Sequence, residues 1–206
     1  MSWIFGLTGG ICVGKTTASN VIAKQDIPVV DADLIAREVV VPGTFLLDAL
    51  IETFGREYRN SDGTLNRSKL GDLVFKDAES MRVLNNLMAP AITRKAKEQF
   101  AKNQAAGHKL QCYDAALLCE MNHAALYKPL ILVYCDPETQ LQRLMKRNSL
   151  SREEALVRIN SQMPLVEKMK LADIPVSTDG SHEETETQIT NIVLALKSLV
   201  KQKETN

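Results

Sequence analysis

Trp3-Ile4-Phe5-Gly6-Leu7-Thr8-Gly9-Gly10-Ile11-Cys12-Val13-Gly14-Lys15-Thr16 is the stretch on which the reading of this chain turns. Its first six residues form a short apolar run that ends in paired glycines, the pattern of a buried strand entering a tight loop. From Lys15 the pattern turns helical, with Ala18, Val21 and Ile22 on one face. Between strand and helix, residues 9–16 fit G-x-x-x-x-G-K-[ST] position by position. Glycines let backbone wrap closely around phosphate oxygens and point several N–H groups inward, and the following helix offers its positive N-terminal end to the anion. In such a loop Lys15 reaches the β- and γ-phosphates of a nucleotide and the Thr16 hydroxyl binds Mg²⁺. The candidate nucleotide contacts are therefore Gly10, Ile11, Cys12, Val13, Gly14, Lys15, Thr16 and Thr17. Cys12 has two readings. A helix N-terminus lowers a thiol pKa and would make it a redox handle; more plainly, it fills a position open to any small residue.

Outward from the loop, Ile27 to Val30 is the next expected strand, closed by Asp31-Ala32-Asp33. Strand, loop, helix and strand within about 30 residues make a βαβ unit, and such units build parallel sheets. In open α/β sheets ligands sit beyond the carboxyl ends of the strands. A carboxylate there suits accepting a proton from an attacking hydroxyl. Asp33 is the candidate base, with Asp31 in support; the duller reading is that one of them caps the next helix or orients a magnesium-bound water. An N-K-x-D stretch for guanine recognition is absent, which favours a kinase over a GTPase.

Residues 34–106 read as almost wholly helical, with a turn at Asp62-Gly63, caps at Asn66 and Asp77, a break at Pro90 and a stop at Gly107. Gln111–Leu118, Leu130–Cys135 and Ile174–Ser177 are further strand candidates. Glu184–Lys201 is an amphipathic helix with Ile189, Ile192, Val193, Leu196 and Leu199 on its apolar face.

The bulk properties bound the function. A length of 206 residues favours one domain and buries a substantial core. Lys+Arg and Asp+Glu are equal at 25 each, whereas a dedicated nucleic-acid binder carries a basic surplus. A polymer substrate is not expected. Cys12, Cys112, Cys119 and Cys135 are scattered, with no metal-binding spacing, and read as reduced, mostly buried thiols of a cytoplasmic protein. The N-terminus does not read as a signal peptide, and no apolar run approaches the roughly 20 residues of a spanning helix, so no membrane partner is expected.

After Asp136-Pro137 comes a basic helical stretch holding Arg143, Lys146, Arg147, Arg152 and Arg158. Charge runs are usually solvated helix faces. Beside a phosphate loop the same run resembles a lid, with Arg143 and Arg147 offsetting charge on the transferring phosphoryl group and Arg152 and Arg158 in surface pairs.

One family resemblance covers nearly the whole chain in order. Leu7-Thr8-Gly9-Gly10 with the loop, then Val30-Asp31-Ala32-Asp33-Leu34-Ile35-Ala36-Arg37-Glu38-Val39-Val40 and Pro42-Gly43, resemble the opening of the dephospho-CoA kinases. Asp62-Gly63-Thr64-Leu65-Asn66-Arg67-Ser68-Lys69-Leu70, Val74-Phe75, and Leu84-Asn85 with Pro90 are similar to that family's middle signature. Tyr113-Asp114-Ala115-Ala116-Leu117-Leu118-Cys119-Glu120 is similar to its D-x-P-L-L-x-E strand, and Asp136-Pro137-Glu138-Thr139-Gln140-Leu141, Arg143, Gln162 and Leu171-Ala172-Asp173 continue it. The resemblance implies phosphorylation of the ribose 3′-hydroxyl of dephospho-coenzyme A by ATP with Mg²⁺. It implies Asp33 as base, Arg143 as a lid contact and Asp114 in the magnesium shell.

The implied fold is a three-layer α/β/α P-loop core with a parallel sheet (about 1–40, 108–140 and 170–206). A helical substrate insertion (about 41–107) and a small lid (about 141–169) complete it. The chain departs from the family at Cys12 and Val13 for Gly and Ser, Ala89 for His, Ala116 for Pro, Asn148 for Asp and Thr178 for Asn. A kinase for another small hydroxyl acceptor, such as a nucleoside, and a nucleotide-binding regulatory module remain as alternatives.

Overall fold

The computed structural model describes residues 2–205. The opening apolar run is strand β1 (Trp3–Gly9), buried from Phe5 onward. β1 is the middle of five parallel strands, so both its edges are paired, and its two apolar faces call for helices on either side of the sheet. The others are β2 (Val29–Asp31), β3 (Leu110–Asp114), β4 (Leu130–Tyr134) and β5 (Ile174–Ser177), in the order β2-β3-β1-β4-β5. Helices flank the sheet in the three-layer α/β/α arrangement expected. Helix α1 (Lys15–Lys24) turns Ala18, Val21 and Ile22 onto Phe5, Ile131 and Val133. The last helix packs into the same cluster through Ile189, Val193 and Leu196. Its bounds are His182–Thr205, longer at both ends than expected, and Leu199 is 45% exposed rather than on the buried face.

The chain forms two compact units, one of residues up to Asp31 with Phe100 onward, the other Ala32–Gln99. The second unit has its own core of Val40, Leu47, Leu50, Ile51 and Met88. It is built from α2 (Ala32–Glu38), α3 (Phe45–Phe54), a 3₁₀ turn (Arg56–Tyr58), α4 (Arg67–Val74) and most of α5 (Ala78–Ala105). Thr44, Asn66 and Asp77 cap α3, α4 and α5 by accepting the N–H groups of Leu47, Lys69 and Ser80. The expected turn at Asp62-Gly63 interrupts the helices of this stretch, and an antiparallel bridge between Arg59 and Leu65 closes it. Pro90 does not break α5 but lies inside it. A long helix on both sides tolerates one proline despite a penalty of about 3 kcal/mol.

In the first unit β3 stops at Asp114, four residues short of the expected Leu118. Leu7 is the β1 residue opposite Asp114, and from Thr8 onward β1 pairs with β4 alone. Ala115 and Leu118 are buried beyond the end of the strand, the Ala115 N–H still donating to the Leu7 carbonyl of β1 at 3.0 Å. Between β4 and β5 lie α6 (Pro137–Asn148), α7 (Arg152–Asn160) and α8 (Leu165–Leu171). Asp136 caps α6 with Pro137 in its first turn, and a Ser151–Glu154 capping box starts α7. Arg152 makes a bidentate surface pair with Glu138, joining α7 to α6. Among the described residues no helix is long and apolar enough to cross a membrane. Cys112, Cys119 and Cys135 are buried free thiols, and Cys12 is a half-buried one.

Candidate active site

The loop between β1 and α1 has the backbone its sequence demands. Cys12 (φ +60°) and Gly14 (φ +90°) are left-handed on either side of Val13. Alternation of this kind curls successive N–H groups toward one point, an anion-binding concavity. Gly14 supplies its turn freely, while Cys12 holds the same region with a side chain, where an L-residue is strained. Gly9 is required by close approach, since a Cβ there would lie 2.7 Å from the Val133 carbonyl oxygen, while one on Gly10 would lie 2.7 Å from Nε2 of Gln140 and displace that side chain.

Lys15, at the start of α1, donates from Nζ to Oδ1 of Asp114 at 2.5 Å. Asp114 ends β3 opposite Asp31 of β2 and is 2% exposed. Burial pushes its carboxyl above the ordinary range, against Lys15 and the Ser19 hydroxyl, and with help from the Asp31 charge. Ser19 stands four residues after Lys15, so one face of α1 presents both to the same carboxylate. Thr16 is exposed in the first turn of α1. Lys15, Asp31 and Asp114 are thus brought together where the sheet meets the loop.

Arg143 of α6 is half-buried. Its guanidinium donates to Oγ1 of Thr178 at 2.9 Å and to the Thr178 carbonyl at 2.8 Å. The Thr178 hydroxyl in turn donates to the Val13 carbonyl at 2.7 Å, so threonine at this departure position links the arginine to the loop. Arg147 is exposed, and its Nε donates to Asn148. Burial raises the Cys12 thiol pKa, with Arg147 and Arg143 opposing. That direction favours the thiol over the thiolate, and so the plainer reading of Cys12 over the redox one. Asp33 lies in the second unit, exposed in the first turn of α2.

Sequence reasoning did not assign the groups that brace the loop. Gln140 donates to the Ile11 carbonyl and Gln162 accepts the Ile11 N–H, each at 2.8 Å. Lys168, fully buried, donates to the Ala116 carbonyl at 2.7 Å and pairs with Glu120 at 2.8 Å. Glu120 also accepts the Met163 N–H at 3.0 Å. The available signal was the three-residue spacing of Gln162, Leu165 and Lys168 along one short helix and its lead-in.

Comparison with known proteins fits this geometry. The family model for dephospho-CoA kinase matches residues 3–184. The chain belongs to the dephospho-CoA kinase family. A dephospho-CoA kinase of Listeria monocytogenes is 44% identical over 192 residues, 92% of this chain and 94% of that one. One of Bacillus cereus is 43% identical over 189 residues, with the same shares covered. Among solved structures, TT1252 from Thermus thermophilus superposes with a TM-score of 0.80 at 30% identity, over 94% of this chain and 97% of the other. The dephospho-CoA kinase from Campylobacter jejuni gives 0.68 at 25% identity, covering 98% and 100%. Membership of the dephospho-CoA kinase family makes the phosphate loop a nucleotide site in a phosphotransferase.

Proposed function

We propose that this chain transfers the γ-phosphoryl group of ATP to the ribose 3′-hydroxyl of dephospho-coenzyme A, giving coenzyme A and ADP. The observation that carries the reading is identity of 40–44% with dephospho-CoA kinases across more than nine-tenths of the chain. The complete loop and its lysine support it.

The loop of residues 10–17 wraps the phosphates through N–H groups downstream of Ile11, whose own N–H Gln162 accepts, with Lys15 exchanging Asp114 for β- and γ-phosphate oxygens. Arg143, already tied to the loop through Thr178, and Arg147 offset charge on the transferred group. Asp33 accepts the hydroxyl proton as that oxygen attacks phosphorus, and the β–γ bridge oxygen leaves on ADP. Among the described residues no cluster of three or more His, Cys, Asp or Glu could hold a metal. Mg²⁺ needs no such cage, since it binds through one or two protein groups with phosphates and water. The Thr16 hydroxyl and the buried Asp114 carboxylate suit it, and when bound it neutralises charge developing on the phosphate oxygens.

Incubation with ATP and either dephospho-coenzyme A or a nucleoside, with the product identified by mass, is expected to show coenzyme A only. A phosphorylated nucleoside without coenzyme A would overturn the acceptor. Asp33→Asn should lower kcat by about 10²–10⁴ while leaving ATP affinity unchanged. A parallel loss of ATP affinity would move Asp33 from base to nucleotide shell.

A further inference from the structure

Ile11 lies in the middle of the phosphate loop, and both hydrogen-bonding atoms of its backbone are held by side chains from other elements. Gln140, 4% exposed on α6, donates Nε2–H to the Ile11 carbonyl at 2.8 Å. Gln162, in the connection between α7 and α8, accepts the Ile11 N–H on Oε1, also at 2.8 Å. The partners fix the polarity of each amide: an N–H requires the oxygen, a carbonyl requires the NH₂. Along the chain from Gln162, every third residue meets the loop one position earlier. Leu165 Cδ2 is 3.3 Å from where a Cβ on Gly10 would sit, and Lys168 Nζ is 3.5 Å from the Gly9 carbonyl.

The residue after Ile11 is the left-handed Cys12. A strained non-glycine turn persists only where its surroundings over-determine it. The two glutamines supply that constraint directly upstream, and the N–H groups that meet phosphate lie directly downstream. We infer that Gln140 and Gln162 are positioning residues. They fix the Ile11 peptide, and through it the turn at Cys12, so that the loop is shaped for phosphate before nucleotide arrives. This inference rests on the kinase reading above. Neither side chain touches the reacting atoms; both act through Ile11.

The test is calorimetric binding of ATP, without acceptor, to the wild type, Gln140→Met, Gln162→Met and the double variant. Methionine keeps the length and removes the hydrogen bond. Each single change is expected to weaken ATP binding by roughly fivefold, the worth of one hydrogen bond. The double variant should lose less than the product of the singles, because one missing clamp already frees the peptide the other was holding. KM for dephospho-coenzyme A should stay within about twofold, since the acceptor does not bind this loop. Gln162 is half-buried and lies in a connection, so its variant keeps the fold even if the buried Gln140 variant does not, and carries the test alone.

Losses under about threefold in folded single variants would overturn the inference, whatever the melting temperature does, as would a double loss equal to the product of the singles. Failure of the kinase reading looks different: wild-type protein would bind ATP with the expected variant pattern yet make no coenzyme A.

Discussion

Cys12 occupies a backbone position where a side chain is a burden, at roughly 1–2 kcal/mol for an L-residue. Half-burial against Ile11, Leu141, Leu144 and Ala155 returns some of that through packing. Glycine removes strain and packing together, whereas alanine removes packing and keeps the strain. Cys12→Gly should therefore melt close to wild type and Cys12→Ala lower than either, by about 1 kcal/mol relative to the glycine variant. Thermal melts of the three proteins decide it, and an alanine variant more stable than the glycine one would contradict the left-handed assignment.

Asp114 poses the opposite question, because its function opposes its burial. Its folded pKa is raised, so the folded protein holds that proton to higher pH than the unfolded chain does. The ionised carboxylate therefore weakens the ligand-free fold at neutral pH, and the weakening vanishes as pH falls below the unfolded value. Asp114→Asn is expected to melt no lower than wild type at neutral pH. The difference should close toward acid, and kcat should fall. A variant that melts well below wild type at neutral pH would show that the Lys15 pair outweighs the burial.

Among the elements, α6 and α7 are joined at the surface by Glu138 and Arg152. The Arg152 hydrogen bond, with help from Gln142, holds the Glu138 carboxyl at about 2 against an ordinary 4.5. A depressed acid contributes stability above its unfolded pKa and loses it as pH falls through the folded one. The melting difference between wild type and Glu138→Gln should thus be small near pH 6, as for any exposed pair, and close as pH drops from about 4.5 toward 2. A difference that persists below that window would mean that Glu138 acts through packing.

The same elements show what sequence could and could not carry. Strand β1, the loop, α1 and β5 were legible because apolar runs, glycines and a strand-to-helix switch are local signals. Ala115–Leu118 continue the apolar run of β3 without being strand; past the Ala115 N–H bond to Leu7, β3 loses its neighbour as β1 runs on beside β4 only. Pro90 misled because a local penalty was weighed without the long helix around it. The places of Lys15 at the start of α1 and of Asp33 just beyond β2 were legible from motif and position. Gln140, Gln162 and Thr178 were not legible as site residues, because each acts on the loop across more than a hundred residues of chain.

At the scale of the whole molecule, the sheet unit is discontinuous in sequence, with the second unit inserted between β2 and β3. The central strand therefore precedes its neighbours in the sheet by about a hundred residues, since they come at Leu110–Asp114 and Leu130–Tyr134. A ribosome adds about 5–20 residues per second, so β1 waits on the order of ten seconds for both partners. Until β3 is made that apolar strand has two open edges, and until β4 is made it has one, the condition under which nascent chains aggregate. The loop braces arrive later still, at Gln140, Gln162 and Lys168. Nucleotide can therefore stabilise only a nearly finished chain: an interrupted translation product would expose its stickiest segment before it acquired any grip on ATP.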